Sequence, residues 1–184
     1  MLWSRLLGPV PRSTYTQPTA WFNALTEQTT EADTTELAIL GGRLAATPGL
    51  AFLAGYQAAL RALLPQAPLG LGAFCMTEQR SSKAQDIHTQ LCNGQITGQK
   101  DFVIAGHAAQ WLIVLARQEA FTTDTQLTAV LLATDQPNVT LHTGPALNML
   151  TDIPHCAVQF NQASGQALPG DGWQDYSKPF RTLE

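Results

Sequence analysis

The chain has 184 residues, 45% of them hydrophobic, which suits one or two small domains with a buried core. Its formal net charge is −4 and it has no block of Lys or Arg, which argues against a nucleic-acid partner. No uninterrupted run of about 18 apolar residues occurs, so the sequence predicts no membrane span.

The first 68 residues have the apolar spacing of helices. A short helix is predicted at residues 21–27. Asp33 and Glu36 form a capping pair in front of a second helix, whose apolar stripe advances in steps of three and four residues from 37 to 44. A proline ends the second helix, because proline removes an N–H donor and disfavours helix in the residue before it. A third helix is predicted after this proline, from Leu50 to Leu64.

After Pro68 the apolar residues recur in short runs separated by turn residues, which predicts strands. Asn93-Gly94 lies between two of these runs and predicts a tight turn, because both residues tolerate positive φ. Repeated short strands without helices between them indicate an antiparallel barrel or sandwich. The predicted strands are Leu71–Thr77, Asp86–Cys92, Lys100–Ala105, Gln110–Arg117, Gln126–Ala133, Asn138–Thr143 and His155–Asn161.

The predicted fold class is therefore α+β. A short N-terminal helical region at residues 1–68 precedes an antiparallel barrel or sandwich of about seven or eight strands at residues 69–172. Residues 173–184 are predicted to start a truncated C-terminal helix that is too short to bury a face. Only 13% of residues are charged, which favours a surface covered by another domain or subunit.

The three cysteines, Cys75, Cys92 and Cys156, lie in apolar strand-like runs and lack the spacing of metal ligands. We interpret them as buried, reduced thiols of a cytoplasmic protein; a disulfide pair is the alternative. The four histidines lie on separate strands or turns, so no metal site is predicted.

Three segments carry the most informative residues of the strand region. They are Phe74-Cys75-Met76-Thr77-Glu78, Thr97-Gly98-Gln99-Lys100-Asp101-Phe102 and Ala109-Gln110-Trp111-Leu112-Ile113-Val114. In their order and spacing they resemble the middle domain of acyl-CoA dehydrogenases, and the helices before them resemble the N-terminal helical part of that family. The resemblance covers roughly residues 34–184. It leaves the C-terminal helical domain of the family without a counterpart.

The resemblance implies an FAD site where two strand ends converge. It places Thr77 against the pyrimidine side of the flavin and Phe102 against the ring system. The implied cofactor-binding residues are Phe74, Met76, Thr77, Phe102, Val103 and Ile104. A turn-capping hydroxyl is the alternative role for Thr77, and core packing is the alternative for Phe102.

The same resemblance implies that acyl-CoA, the substrate of the family, is contacted by Ser81 or Ser82. Arg80 and Lys83 are open between two roles, contacts to the CoA phosphates and ordinary solvated loop charges. The catalytic base of the family lies in the missing domain, so no catalytic residue is assigned. Glu78 is interpreted as a structural or surface carboxylate rather than an acid-base group.

The sequence departs from the family at two positions where the family's residues contact the flavin or the substrate. The loop Gln79–Lys83 lacks the family's proline and glycines. Ile104 stands where the family has a hydroxyl near the reactive nitrogen of the flavin. FAD binding is therefore expected to be weak or lost in the isolated chain.

The implied function is that of an acyl-CoA dehydrogenase-like flavoprotein fragment, inactive alone. The family reaction is the FAD-dependent α,β-oxidation of an acyl-CoA thioester. Two alternatives stay open: a degenerate, non-catalytic binding or assembly module, and one half of a split dehydrogenase. The expected partners are further copies in a homo-oligomer, or a partner chain that supplies the missing helices.

Overall fold

The computed structural model describes residues 7–9, 14–29, 33–118, 126–148 and 150–184. Within these residues, three helices with described bounds precede the sheets: α1, Pro18–Gln28; α2, Thr34–Leu44; and α3, Pro48–Leu63. The predicted cap of α2 is confirmed, because the Asp33 carboxylate accepts a hydrogen bond from the Glu36 N–H at 2.7 Å. None of the helices in this described part has the length and apolar character that crossing a membrane requires.

In the part of the chain that the structure describes, eight strands form two four-stranded sheets, in the orders β1-β4-β5-β8 and β2-β3-β7-β6. The pairing is antiparallel except between β1 and β4. The prediction of an α+β fold with seven or eight strands is confirmed, and its form is a sandwich rather than a closed barrel. The strands are β1, Gly72–Cys75; β2, Gln90–Cys92; β3, Gln95–Ile104; β4, Trp111–Ala116; β5, Thr128–Ala133; β6, Val139–Thr143; β7, His155–Ser164; and β8, Gln166–Ala167.

Strand β4 is buried on both faces because it separates two cores. Leu112 and Val114 point into the space between the two sheets. Trp111 and Ile113, which alternate with them, pack against the helical layer. The first sheet is therefore sandwiched between the helices and the second sheet, and its strand ends lie where all three layers meet.

The predicted strand Asp86–Cys92 is too long, since only its last three residues are a strand. Residues Ala84–Asp86 form a single 3₁₀ turn. The N–H groups of His88 and Thr89 donate to the Glu78 carboxylate at 2.7 and 3.2 Å instead of to a neighbouring strand. A side-chain acceptor far away in the sequence therefore replaces the backbone ladder here, which the local pattern does not reveal.

The C-terminal segment begins at the predicted place but does bury a face. The Asp171 carboxylate accepts hydrogen bonds from two N–H groups of a π-helical segment, Gly172–Ser177, which continues into a short helix α4, Lys178–Leu183. Phe180 is only 3% exposed. The expectation of a segment too short to bury a face was wrong because the segment buries two aromatic side chains, Tyr176 and Phe180.

The predicted burial is confirmed for two of the three cysteines. Cys75 and Cys156 are buried free thiols, and burial raises the pKa of Cys75 to about 12. Cys92 is also free but exposed, so its predicted burial was wrong. It follows buried Leu91 in β2, and alternate residues of a strand point to opposite faces.

Candidate functional site

The C-terminal ends of β1 and β3 converge on a cleft of about 290 Å³ that also touches α3 and α4. Five of the six predicted cofactor residues line it. The lining residues are Phe52, Tyr56, Phe74, Met76, Thr77, Phe102, Ile104, Leu147, Leu150, Phe180 and Glu184. The two strand ends that the resemblance predicted to converge therefore line one cleft, whose lining is mostly apolar.

Val103 is the predicted residue that the structure places elsewhere. Its side chain is fully buried between the two sheets, in the core that contains Cys156. Phe102 and Ile104 flank it in β3 and point the other way, into the cleft. The alternation of a strand forbids three successive side chains at one site. Only the backbone of Val103 is left to contribute to a ligand.

Five of the eleven described lining residues of the cleft are aromatic. The Phe180 ring stacks on the Phe74 ring with centroids 4.9 Å apart and meets Tyr56 edge-on at 5.3 Å. Phe102 stacks on His155 at 4.6 Å. Such surfaces suit a flat apolar ring and supply little that would solvate charge.

The polar groups at the cleft are few. The Phe74 N–H is already occupied, since it donates to the Tyr56 hydroxyl at 2.9 Å, and burial raises the pKa of that hydroxyl. The Thr77 hydroxyl has no hydrogen-bond partner among the residues that the structure describes. Ile104 offers no donor. The Thr77 hydroxyl can therefore both donate to and accept from a bound ring, whereas the Tyr56 hydroxyl already accepts one hydrogen bond.

Glu184 is an acidic lining residue that sequence reasoning missed. The residue is exposed overall, but partial burial of its carboxyl raises the pKa of that group. The signal was available in the spacing: Glu184 follows Phe180 by four residues, which places both on one face of a helix. Among the described residues that line the cleft, Glu184 is the one with a carboxylate side chain.

The loop after β1 is built differently from the expected glycine turn. Glu78 and Ser81 exchange backbone hydrogen bonds across a two-residue turn. Its central residues, Gln79 and Arg80, have φ of 48° and 63°. Those values match the turn type that normally carries Asn-Gly. The loop therefore forms a tight turn without glycine, and Gln79 and Arg80 adopt strained, left-handed backbone conformations.

We expect Gln79→Asn/Arg80→Gly to stabilise the protein by about 1 kcal/mol, because these residues tolerate left-handed φ. Arg80→Val should destabilise it by about 1–2 kcal/mol, because a β-branched side chain fits that conformation poorly. Urea denaturation measures both changes. Equal effects of glycine and valine at position 80 would contradict the interpretation of strain.

The two serines predicted to contact substrate are engaged in holding this loop. The Ser81 hydroxyl donates to the Asp86 carboxylate at 2.5 Å. The carbonyl of Ser82 accepts from the Arg181 guanidinium at 2.9 Å, and its hydroxyl is 3.3 Å from the same group. Arg181 also stacks over Trp173, with its guanidinium carbon 5.0 Å from the ring centroid. Ser81 thus fixes the loop to the following 3₁₀ turn, and Ser82 ties it to the C-terminal segment.

Glu78 has the structural role that its sequence position suggested. Its carboxylate is 2.6 Å from the Lys100 ammonium and accepts the Thr89 hydroxyl at 2.7 Å. Glu78 is 4% exposed and Lys100 is fully buried. Burial opposes ionisation of Glu78, but the Lys100 charge and the hydrogen bonds outweigh it and hold the pKa of Glu78 below its usual value. A carboxylate so engaged is not poised to move a substrate proton.

No cluster of three metal-ligating side chains occurs among the described residues. His155 stacks on Phe102, and His107 lies 3.1 Å from the Thr143 hydroxyl. These histidines pack and bond singly rather than converging on one point.

Comparison with known proteins identifies the fold. No protein-family model and no curated protein sequence matches the chain. Solved structures do match it. Butyryl-CoA dehydrogenase from Megasphaera elsdenii is 18% identical with a TM-score of 0.65, over 91% of this chain and 51% of its own. An acyl-CoA dehydrogenase from Geobacillus kaustophilus is 13% identical with a TM-score of 0.70, over 95% of this chain and 55% of its own.

A third match is PigA in complex with FAD, 16% identical with a TM-score of 0.68, over 93% of this chain and 54% of that one. The chain thus has the fold of one half of an FAD-dependent dehydrogenase. The resemblance to acyl-CoA dehydrogenases is confirmed at the level of the fold, and the chain spans about half the length of the structures it matches.

Proposed function

We propose that the cleft between β1 and β3 holds the ring system of FAD, and that the chain is the flavin-holding part of an acyl-CoA dehydrogenase-like protein. One observation carries the proposal. Thr77, Phe74, Met76 and Phe102, implied by the resemblance, line a single ring-lined cleft. That cleft lies in a fold shared with an FAD complex.

The residues that line the cleft fit the flavin ring of FAD better than they fit its pyrophosphate. A volume of about 290 Å³ is at the small end for a ligand pocket, and the lining includes no Lys or Arg for a pyrophosphate. Thr77 would hydrogen-bond the polar edge of the ring, and Phe74 and Phe102 would contact its face. When bound, FAD supplies the acceptor for a hydride. We therefore expect weak binding by this chain alone.

Oxidation of an acyl-CoA needs a proton acceptor beside the flavin as well. Among the described lining residues only Glu184 has a carboxylate, and Ile104 contributes no hydroxyl to the ring. We propose that turnover requires further helices, from a partner chain or another copy, and that this chain alone does not turn over. The competing proposal is a non-catalytic binding or assembly module, favoured by Ile104 and by the bonded serines of the loop.

Titration of riboflavin and FAD against the protein, followed by flavin fluorescence, tests the proposal. Ile104→Thr should tighten binding and Thr77→Val should weaken it, each by roughly 2–10-fold, the worth of about one hydrogen bond. Thr97→Val is the matched control, because that hydroxyl lies on β3 outside the cleft and should leave affinity unchanged.

Two results would decide against the flavin proposal. The first is the absence of flavin binding by both the unmodified protein and Ile104→Thr up to about 1 mM. The second is binding that Thr77→Val and Thr97→Val weaken equally. Either would favour the non-catalytic module. Reduction of bound FAD by an acyl-CoA would instead contradict the expected lack of turnover, and Glu184→Gln would then show whether Glu184 takes the proton.

A further inference from the structure

The outer edges of the two sheets are protected to different degrees. Side chains of α3, Gln57 and Tyr56, hydrogen-bond the edge of β1. Backbone hydrogen bonds with Arg117 cover the edge of β2, and β8 has only two residues. Strand β6 is the longest of the edge strands, and no described strand pairs with its outer side.

The register of β6 shows which of its backbone groups face outward. Two ladder bonds of 3.0 Å flank the strand: Gly144 N–H to His155 C=O, and Asn161 N–H to Asn138 C=O. Even-numbered residues of β6 therefore bond to β7, and Val139, Leu141 and Thr143 direct their N–H and C=O groups away from it. The Val139 N–H donates to Gln136 C=O at 3.1 Å; the other outward groups have no partner among the described residues.

Strand β6 lacks the features that usually prevent an edge from pairing. It contains no Lys, Arg, Asp, Glu or proline, and its register with β7 has no bulge. Thr140, His142 and Thr143 are exposed. Such a strand is a template for another extended segment.

We propose that β6 pairs antiparallel with β6 of a second copy of this chain, about a two-fold axis at Leu141. Pro137 and Pro145 lie four residues to either side of Leu141. Because proline has no N–H to donate, Pro137 and Pro145 each end the hydrogen bonding between the two strands, at equal distances from Leu141. This symmetry within the strand favours a second copy over an unrelated partner, because an isologous contact must be self-complementary.

The register predicts four hydrogen bonds across the axis. Leu141 N–H donates to Leu141 C=O of the second copy, and the reverse bond completes the pair. Thr143 N–H donates to Val139 C=O of the second copy, again twice. On the exposed face Thr140 lies opposite His142 of the second copy, so charges at these positions report the register. The interface is small, and we expect a weak dimer.

Sedimentation equilibrium over a range of concentrations tests the pairing. The unmodified protein should approach twice its 19.8 kDa mass at high concentration. Thr140→Glu/His142→Glu places like charges opposite each other twice and should raise the dimer Kd at least about tenfold. Thr140→Lys/His142→Glu places opposite charges there and should keep the dimer. Gln90→Glu/Gln95→Glu, on the exposed β2–β3 hairpin, controls for added negative charge.

Three outcomes would overturn the proposal. They are a monomer at about 1 mM, a dimer that both charged pairs at 140 and 142 weaken equally, and open-ended assembly instead of a dimer. Circular dichroism and the Tm of each variant show that the fold is intact. The measurement involves no flavin, so its result is independent of the proposed cofactor cleft.

Discussion

Lys100→Met is expected to destabilise the protein by about 3–5 kcal/mol, among the largest single-substitution effects in this chain. The substitution leaves the Glu78 carboxylate buried without its ammonium partner 2.6 Å away. Thr89 and His88 still donate to it, but neutral donors do not replace a charge. Urea denaturation at neutral pH measures the loss.

The double variant Glu78→Gln/Lys100→Met is the control for that prediction. It removes both charges, and a buried ion pair is often replaceable at little net cost. We therefore expect the double variant to regain most of the stability lost in Lys100→Met. If the two variants were equally unstable, packing of the Lys100 chain rather than the unpaired carboxylate would be responsible.

The pH dependence of stability follows from the same pair. The pKa of Glu78 is below its ordinary value of 4.5 in the folded state, so the unfolded chain binds more protons between the two values. Stability from Glu78 is thus fully present above about 4.5 and is lost as the pH falls through the lower, folded pKa. The double variant should show a smaller loss on acidification, which thermal unfolding at pH 7 and at low pH measures.

The sequence predicted the parts of this fold that local patterns determine. The cap at Asp33 and the turn at Asn93-Gly94 depend on neighbouring residues, and both are present. The short strand β2 was not predictable in full, because Glu78 binds the N–H groups of His88 and Thr89 from ten and eleven residues away. Long-range side-chain bonds of that kind leave no periodic signal.

The cleft was predictable to the same extent. The resemblance identified the two strand ends, whereas the alternation of β3 decides that Phe102 and Ile104 face the cleft and Val103 does not. Phe180 and Glu184 were missed because their segment was considered too short to pack. Glu184 lies directly after α4, and its N–H donates to Phe180 C=O at 2.8 Å, so the four-residue spacing was the signal that the two side chains share a face.

The second large effect is expected from Gln57, which α3 presents to the edge of β1. Its amide donates to Gly72 C=O at 2.8 Å and accepts from Gly72 N–H at 3.0 Å, as a neighbouring strand would. Gln57→Leu leaves both of these buried backbone groups without partners. Since each costs about 1–3 kcal/mol, we expect a loss of about 2–5 kcal/mol in the free energy of unfolding.

Two variants show whether the loss arises at the strand edge. Tyr56→Phe removes the acceptor of one N–H, that of Phe74, and should cost about 1–2 kcal/mol. Gln66→Leu, at an exposed position after α3, should change stability little. A graded series, with Gln57→Leu the least stable, supports the role of α3 as a substitute strand that keeps the edge of β1 from pairing elsewhere. If Gln57→Leu were as stable as Gln66→Leu, pairing with β4 and the aromatic contacts would be sufficient to hold β1 in place. The edge of β1 would then be protected by steric shielding rather than by hydrogen bonds from α3.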